Sequence, residues 1–389
     1  MERSAWLPPE LLAQIFGTLT HLFPFLPDAH AALARCCRVS KAWEAVAREE
    51  LYRQLNLSSY YTFKHPAKAR RVLNLLEARP DLARLVKTVE IDFFSSSTFF
   101  AEEVGRILAF LPSVTSIESG SLAGRETVVA LAGSCSVASS RLRRLDASRW
   151  QGTPIAKLLC TLPALEELNT FPHAWPLPDD PNGLPPPPSF RLRRLTLPRD
   201  PHASHLVWLT RHSPSSLTSL TLSLSCVTST PLPSLSAFTS LASLHLQAVW
   251  LPRDRRNAYG VACVQRCAAL LRSAADLPFL RAVSLERYWV AKSPPYVPYF
   301  GALLQVLPSA VEYLDVADNI FRREELVAFL QDERSGIRVR RISLGAVLPD
   351  GQEGEGEGEE PGVWEELKEL AVERGIFLER RVREQECEE

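Results

Sequence analysis

Three histidines, His202, His205 and His212, gather in the stretch DPHASHLVWLTRH. Imidazole titrates near neutral pH, so such a group is where acid–base chemistry or a metal ion would first be sought. A metal would also need carboxylate or thiolate ligands at a fixed register, and a hydrolase would need a nucleophile beside its base. No carboxylate or thiolate ligands at a fixed register accompany these residues, and surface histidines are the expectation. The eight cysteines (Cys36, Cys37, Cys135, Cys160, Cys226, Cys263, Cys267 and Cys387) include no C-x-x-C pair and no zinc-type spacing. They read as reduced thiols, mostly buried, with Cys263 and Cys267 sharing the buried face of one helix. The chain has no G-x-S-x-G elbow and no G-x-x-x-x-G-K-S/T loop, and its one GEGEGE run is acidic and would repel phosphate. No enzymatic activity, cofactor or metal is expected.

Composition points the same way. Hydrophobic residues make up 46% and charged residues 23% of the 389, values of a globular chain long enough for about two domains. From Asp350 onward there are 15 acidic and 5 basic residues, against 30 and 39 before it. The basic residues are interleaved with acidic ones, so no nucleic-acid stripe is formed. No apolar run reaches the roughly 18 residues of a membrane span, and Glu2 precedes any apolar stretch. A place in the cytosol, the nucleus or both is expected, with no membrane contact.

The elements that must position any functional side chain are announced by a repeat. The pattern apolar-x-x-apolar-x-apolar recurs as VKTVEI, VTSIES, LRRLDA, LEELNT, LRRLTL, LTSLTL, LASLHL, LRAVSL, VEYLDV and VRRISL, beginning at Val86, Val114, Leu142, Leu165, Leu192, Leu217, Leu241, Leu280, Val311 and Val339. The starts lie 23 to 39 residues apart. Between them run stretches with apolar residues at three- and four-residue spacing, such as AEEVGRILAFLPS and REELVAFLQDE. Strand, loop and helix repeated in one sense make a solenoid with a parallel sheet. The strands are similar to the leucine-rich repeat, although only the unit at Val311 supplies that motif's asparagine, Asn319. An irregular α/β solenoid is therefore expected, the sheet on its concave face and the helices on its convex face. The proline-rich run from Leu177 to Ser189 reads as a surface insertion, and the Gly/Glu run as a disordered loop.

In front of the repeats stands a different texture. Pro8 and Pro9 suit a helix's first turn, and Leu11, Leu12, Ile15, Phe16 and Leu19 follow on one face; Val39, Trp43, Val46, Ala47 and Leu51 repeat the arrangement in a later helix. Leu7-Pro8, Glu10-Leu11-Leu12, Ile15-Phe16 and Leu19, then Cys36, Val39-Ser40-Lys41, Trp43 and the closing LYRQL, resemble the F-box. An F-box followed directly by leucine-rich repeats is a known architecture, and ARRVLNLLEARPDLARLVKTVEI looks like the junction in fungal proteins of that kind. The resemblance implies a substrate receptor of a Skp-cullin-F-box ubiquitin ligase. A Skp-type adaptor would bind Leu7, Pro8, Leu11, Leu12, Ile15, Phe16, Val39 and Trp43 or be supported by them, the adaptor would reach a cullin scaffold, and the repeats would hold a protein substrate. Trp43 is divided evenly between that interface and the hairpin's own core. The alternative is an interaction scaffold whose hairpin merely caps the solenoid.

These readings divide the chain into an F-box (1–56), a junction with a first helix (57–85), the repeats (86–349), an acidic loop (350–362) and a capping helix or strand with a tail (363–389). For the substrate, two sets of side chains stand out. Arg143 and Arg144, Glu166 and Glu167, and Arg193 and Arg194 occupy matching solvent-facing positions of successive units, as either a ladder of ion pairs or a charged docking surface. Phe93, Phe94, Trp150, Trp250, Tyr288 and Trp289 follow the strands at similar positions. Packing beneath loops is expected for most of them, with Trp250, Tyr288 and above all Trp289 as binding candidates.

Overall fold

In a computed structural model the chain is described at residues 7–22, 26–57, 66–91, 98–119, 140–148, 150, 154–171, 186–198, 203–225, 234–249, 256–288, 301–316, 321–331, 338–344, 347–348 and 362–380. It divides into two compact units, Met1–Leu165 and Glu166–Glu389, a division that falls inside the repeats.

The first unit opens with three helices, α1 (Pro9–Leu22), α2 (Leu26–Cys36) and α3 (Lys41–Arg53). The apolar connector that follows the first helix in sequence thus supplies most of a helix of its own. LYRQL does not close α3 as expected, because the helix stops at Arg53 and Gln54–Asn56 is a strand, β1. The peptide groups of Gln54, Leu55 and Asn56 are drawn out of helical geometry by parallel pairing with Thr88, Val89 and Glu90 of β2 (Thr88–Ile91). After β1 come α4 (Pro66–Ala78), the short α5 (Pro80–Ala83), β2, α6 (Thr98–Ala109), β3 (Ser116–Ser119), β4 (Arg144–Ala147) and α7 (Pro154–Cys160). The order β1-β2-β3-β4 in the sheet is the order in sequence.

The second unit continues in the same style with β5 (Glu167–Thr170), β6 (Arg194–Leu197), α8 (Ala203–Thr210), β7 (Ser219–Ser225), β8 (Ser243–Val249), α9 (Arg256–Ser273), β9 (Ala282–Tyr288), α10 (Gly301–Leu304) and β10 (Tyr313–Val316). Then come β11 (Phe321–Arg322), α11 (Arg323–Gln331), β12 (Arg341–Leu344), β13 (Val347–Leu348), α12 (Val363–Glu373) and β14 (Phe377–Arg380). Strands β5 to β10, β12 and β14 pair side by side in that order, and β11 pairs apart with β13. All of these pairings are parallel, as a crossover through a helix requires. This is a leucine-rich-repeat solenoid fold. Each of the ten expected units yields its strand two residues after the first apolar position, and β1 and β14 extend the series at either end.

The core lies between strands and helices. Val89, Ile91, Ile117, Leu145, Leu168, Leu195, Leu220, Leu244, Val283, Leu314 and Ile342 are buried on alternate strand positions, and helix residues such as Ile107, Leu159, Leu209 and Leu271 are buried as well. Nearly all units lack the motif's asparagine, and a different device holds them in register. The carbonyl just before one strand accepts two backbone N–H groups from the next unit. Lys87 O accepts from Thr115 and Ser116, Thr115 O from Arg143 and Arg144, and the pattern runs in the second unit from Glu166 to Glu312, at 2.7–3.2 Å. Serines reinforce it: the buried Ser213 Oγ accepts from Leu192 N at 2.8 Å, and Ser216 Oγ donates to Leu192 O at 2.8 Å. Among the described residues no helix is long and apolar enough to cross a membrane.

Candidate functional site

The three N-terminal helices have two apolar faces. Inside, Leu12 and Phe16, one turn apart on α1, meet Leu33 of α2 and Ala47 of α3, with Cys36, Cys37, Trp43, Val46 and Leu51 packed around them. The rings of Phe16 and Trp43 meet edge to face, with centroids 5.5 Å apart, a favoured aromatic geometry. Ser40 caps α3, its Oγ accepting from Trp43 N at 3.2 Å, which fixes where the indole leaves the backbone. Burial pushes the Cys37 thiol above its ordinary value, with the Glu44 carboxylate adding to the effect, so this cysteine stays a neutral thiol at neutral pH.

Outside, Leu7, Leu11 and Ile15 stand four residues apart and are 43%, 44% and 46% exposed, and Val39 is 61% exposed. Spacing of four places side chains one above the other on a helix. The result is an uncovered apolar stripe along α1, with exposed Pro8 near its start. Val39 lies in the turn before α3 rather than on that helix's inner face, where periodicity had put it. Of the eight residues assigned to adaptor binding, Leu7, Pro8, Leu11, Ile15 and Val39 are therefore presented to solvent, Leu12 and Phe16 fill the core, and Trp43 is half-buried against Phe16. The side chain of Leu19 lies outside the described residues.

On the open face of the sheet the charged residues pair laterally. In the second unit Arg193 Nε lies 3.7 Å from Glu166 Oε2 and an Arg194 terminal nitrogen 3.5 Å from Glu167 Oε1. In the first unit Arg144 reaches Glu118 at 3.6 Å, and Arg143 is exposed. In all three pairs the arginine side chain is more than half exposed and the glutamate about one-third. The guanidinium groups are held by their neighbours yet remain open to a partner. Trp250 and Trp289 lie outside the described residues, as do Phe93, Phe94 and the side chain of Tyr288, the last residue of β9. Trp150 is fully buried, in keeping with packing.

Two polar networks on this face were not anticipated. Ser223 Oγ donates to Gln247 Oε1 at 2.6 Å, Gln247 Nε2 donates to Glu286 Oε2 at 2.8 Å, and His245 Nε2 meets the same oxygen at 2.7 Å. The serine hydroxyl is turned to an amide rather than to the imidazole, so the group has no activated nucleophile. Farther along, the Arg341 guanidinium lies over the rings of Tyr313 and Phe377, at 5.9 and 5.6 Å, and donates to Glu379 Oε2 at 2.7 Å. The strands that carry the first network, β7, β8 and β9, are seven residues long each.

The histidine group disperses. His205 is buried in α8 rather than on the surface, because Trp208 and Leu209, three and four residues on, share its inward face. His212 is exposed, and His202 lies outside the described residues. Cys267 is buried in α9, and the side chain of Cys263 lies outside the described residues. No set of three or more His, Cys, Asp or Glu side chains suited to a metal ion occurs among the described residues.

Residues 5–58 match the F-box-like family model. Among solved structures the chain is similar to the leucine-rich repeat-containing protein LegL7 from Legionella pneumophila, at 15% identity and a TM-score of 0.38, over 75% of this chain and 81% of that one. No curated protein sequence matches the chain. Residues 5–58 thus form an F-box-like domain ahead of the repeats described above, and F-box domains generally bind Skp-type adaptors.

Proposed function

We propose that this protein is the substrate-recognition subunit of a Skp-cullin-F-box ubiquitin ligase. The observation that carries this reading is the stripe of Leu7, Leu11 and Ile15, left uncovered, with Val39 exposed in the turn before α3, on a bundle whose own core is already filled by Leu12, Phe16, Leu33 and Ala47. A row of large apolar side chains at helical spacing, with no intramolecular partner face among the described residues, suits the groove of an adaptor protein. Leu12, Phe16 and Trp43 act by holding α1 and α3 at the angle that displays the stripe. The adaptor connects the chain to a cullin scaffold, and the open face of the repeats holds a protein substrate in the cytosol or nucleus.

The chain itself makes and breaks no bond in this scheme. It raises the local concentration of a substrate lysine near an activated ubiquitin thioester, so its contribution is proximity across a complex. The direct run of α3 into β1 also suits a scaffold in which the bundle only caps the sheet. Co-elution with a purified Skp-type adaptor separates the two, measured beside a variant carrying Leu7→Ala, Pro8→Ala and Leu11→Ala. The receptor reading requires binding by the native chain and its loss in the variant. If neither binds, the bundle is a cap.

A further inference from the structure

The register of the first unit sorts charge across its open face. Gln54, Thr88, Ser116 and Arg144 lie side by side in β1 to β4. One residue before them run Arg53, Lys87, Thr115 and Arg143, whose carbonyl-to-amide bonds tie unit to unit. Two residues after them run Asn56, Glu90, Glu118 and Asp146, with Asn56 beside Glu90 and Glu90 beside Glu118. One row therefore carries three cations, Arg53, Lys87 and Arg143, all exposed, and the other three carboxylates, Glu90, Glu118 and Asp146, all part-exposed. In the second unit, none of the positions matching the carboxylate row carries lysine or arginine, while the first row mixes both signs.

The carboxylates are fixed in place. Glu90 Oε2 accepts from Asn56 Nδ2 at 2.8 Å and Gln54 Nε2 at 3.2 Å, Asp146 Oδ1 accepts from Ser148 N at 2.9 Å, and Glu118 has Arg144 at 3.6 Å. On the other row, Arg53 is drawn to Glu50 at 3.0 Å. Such preorganisation lowers the ordering cost of binding.

We propose that this face receives an α-helical segment of the substrate, acidic along one flank and basic along the other. This inference rests on the reading of the repeats as a substrate-holding surface. The cation row stands just before the strands, where the chain enters the sheet, and three residues of chain separate it from the carboxylate row by up to about 10 Å, close to the roughly 10–12 Å width of a helix with its side chains. Strands repeat about every 4.8 Å and helical turns about every 5.4 Å, so residues spaced alternately three and four apart on each flank stay within about 2 Å of the rows over four strands. An extended segment turns alternate side chains to opposite faces and would not present two charged flanks. Between the rows, Gln54, Thr88 and Ser116 form an uncharged floor, closed at β4 by Arg144. Complementary charge at this range selects by pattern rather than by net charge.

The test uses the full-length chain and two fluorescein-labelled, alanine-rich helical peptides of identical composition. In one, glutamates line one flank and lysines the other; in the second the two alternate within each flank. Fluorescence anisotropy at low salt is expected to show the sorted peptide binding about tenfold or more tightly than the mixed one, the difference closing near 0.5 M salt, where the screening length falls to about 4 Å. Lys87→Glu with Arg143→Glu, both on exposed side chains, should abolish the preference, and Lys87→Gln with Arg143→Gln should weaken it. Equal affinities, no binding of either peptide, or a preference that survives the Glu variant overturns the inference. Adaptor co-elution on the same sample keeps the two readings apart. A chain that binds adaptor but does not distinguish the peptides loses only this inference, and a chain that prefers the sorted peptide but ignores adaptor loses only the ligase.

Discussion

Leu11 and Leu12 are neighbours in sequence and carry the same side chain, yet truncating them should affect different measurements. Leu12 is 1% exposed and Leu11 is 44% exposed. Removing a buried leucine forfeits its transfer energy and leaves a cavity, so Leu12→Ala should cost about 2–5 kcal/mol of stability, and Phe16→Ala about 3–5. For Leu11, Ile15 and Val39, 44%, 46% and 61% of the side chain still faces water. That fraction of the ~1.5–3 kcal/mol of a fully buried aliphatic side chain leaves roughly 1 kcal/mol each to be gained on docking. The triple variant Leu11→Ala, Ile15→Ala, Val39→Ala should therefore weaken adaptor binding by roughly 3 kcal/mol, about a hundredfold or more. Its unfolding midpoint should move far less than that of Leu12→Ala. Titration calorimetry against purified adaptor, with thermal unfolding of each variant alone, reads both quantities. The reasoning fails if the triple variant binds like the native chain, or if it loses as much stability as Leu12→Ala.

Two further outcomes concern the scaffold. Ser213→Ala removes the acceptor for the Leu192 N–H in a fully buried position and should cost about 1–3 kcal/mol, the usual penalty of an orphaned buried donor; an unchanged denaturation midpoint would show that the serine does not stand in for the missing asparagine ladder. Burial holds the His30 imidazole in α2 below its ordinary value of 6.5. The folded bundle thus favours the neutral form, and this stability is complete above about pH 6.5, is lost as pH falls through that value, and levels off below the lowered folded value. Thermal unfolding between about pH 8 and about pH 5 should show this slope in the native chain and a shallower one in His30→Gln.

The repeat was legible because its cause is local in sequence. Strand alternation fixes which side chains are apolar, so VKTVEI or LRRLTL announces both a strand and its inward face. β1 was not legible because Gln54-Leu55-Asn56 follows an uninterrupted helical pattern, and only the partner strand, more than thirty residues away, draws it out. His205 was misread for want of looking three and four residues onward, to Trp208 and Leu209. For the bundle, periodicity groups Leu11, Leu12, Ile15 and Phe16 on one apolar face of α1 but does not tell which of them is covered. That was decided by Leu33 and Ala47, which fill the space beside Leu12 and Phe16 and leave Leu11 and Ile15 outside. The rows of charge follow from aligning the repeats, except at β1, where Arg53 and Asn56 join them only through its pairing with β2.

The passage from α3 into β1 contains no spacer. Arg53 ends the helix, its carbonyl accepts from Lys87 N at 2.8 Å, and Leu57 N donates to Glu90 O at 2.8 Å. In the proposed complex, the adaptor-bound bundle and the first repeats would then turn as one lever rather than swing on a tether. A flexible linker spreads its cargo over a sphere whose radius grows with the square root of its length, whereas a hydrogen-bonded joint confines cargo to a narrow arc. Which lysine on a substrate is modified would be a matter of angle. One residue inserted between Arg53 and Gln54 would change that angle, leaving the apolar stripe of α1 intact while shifting Arg53 out of its row.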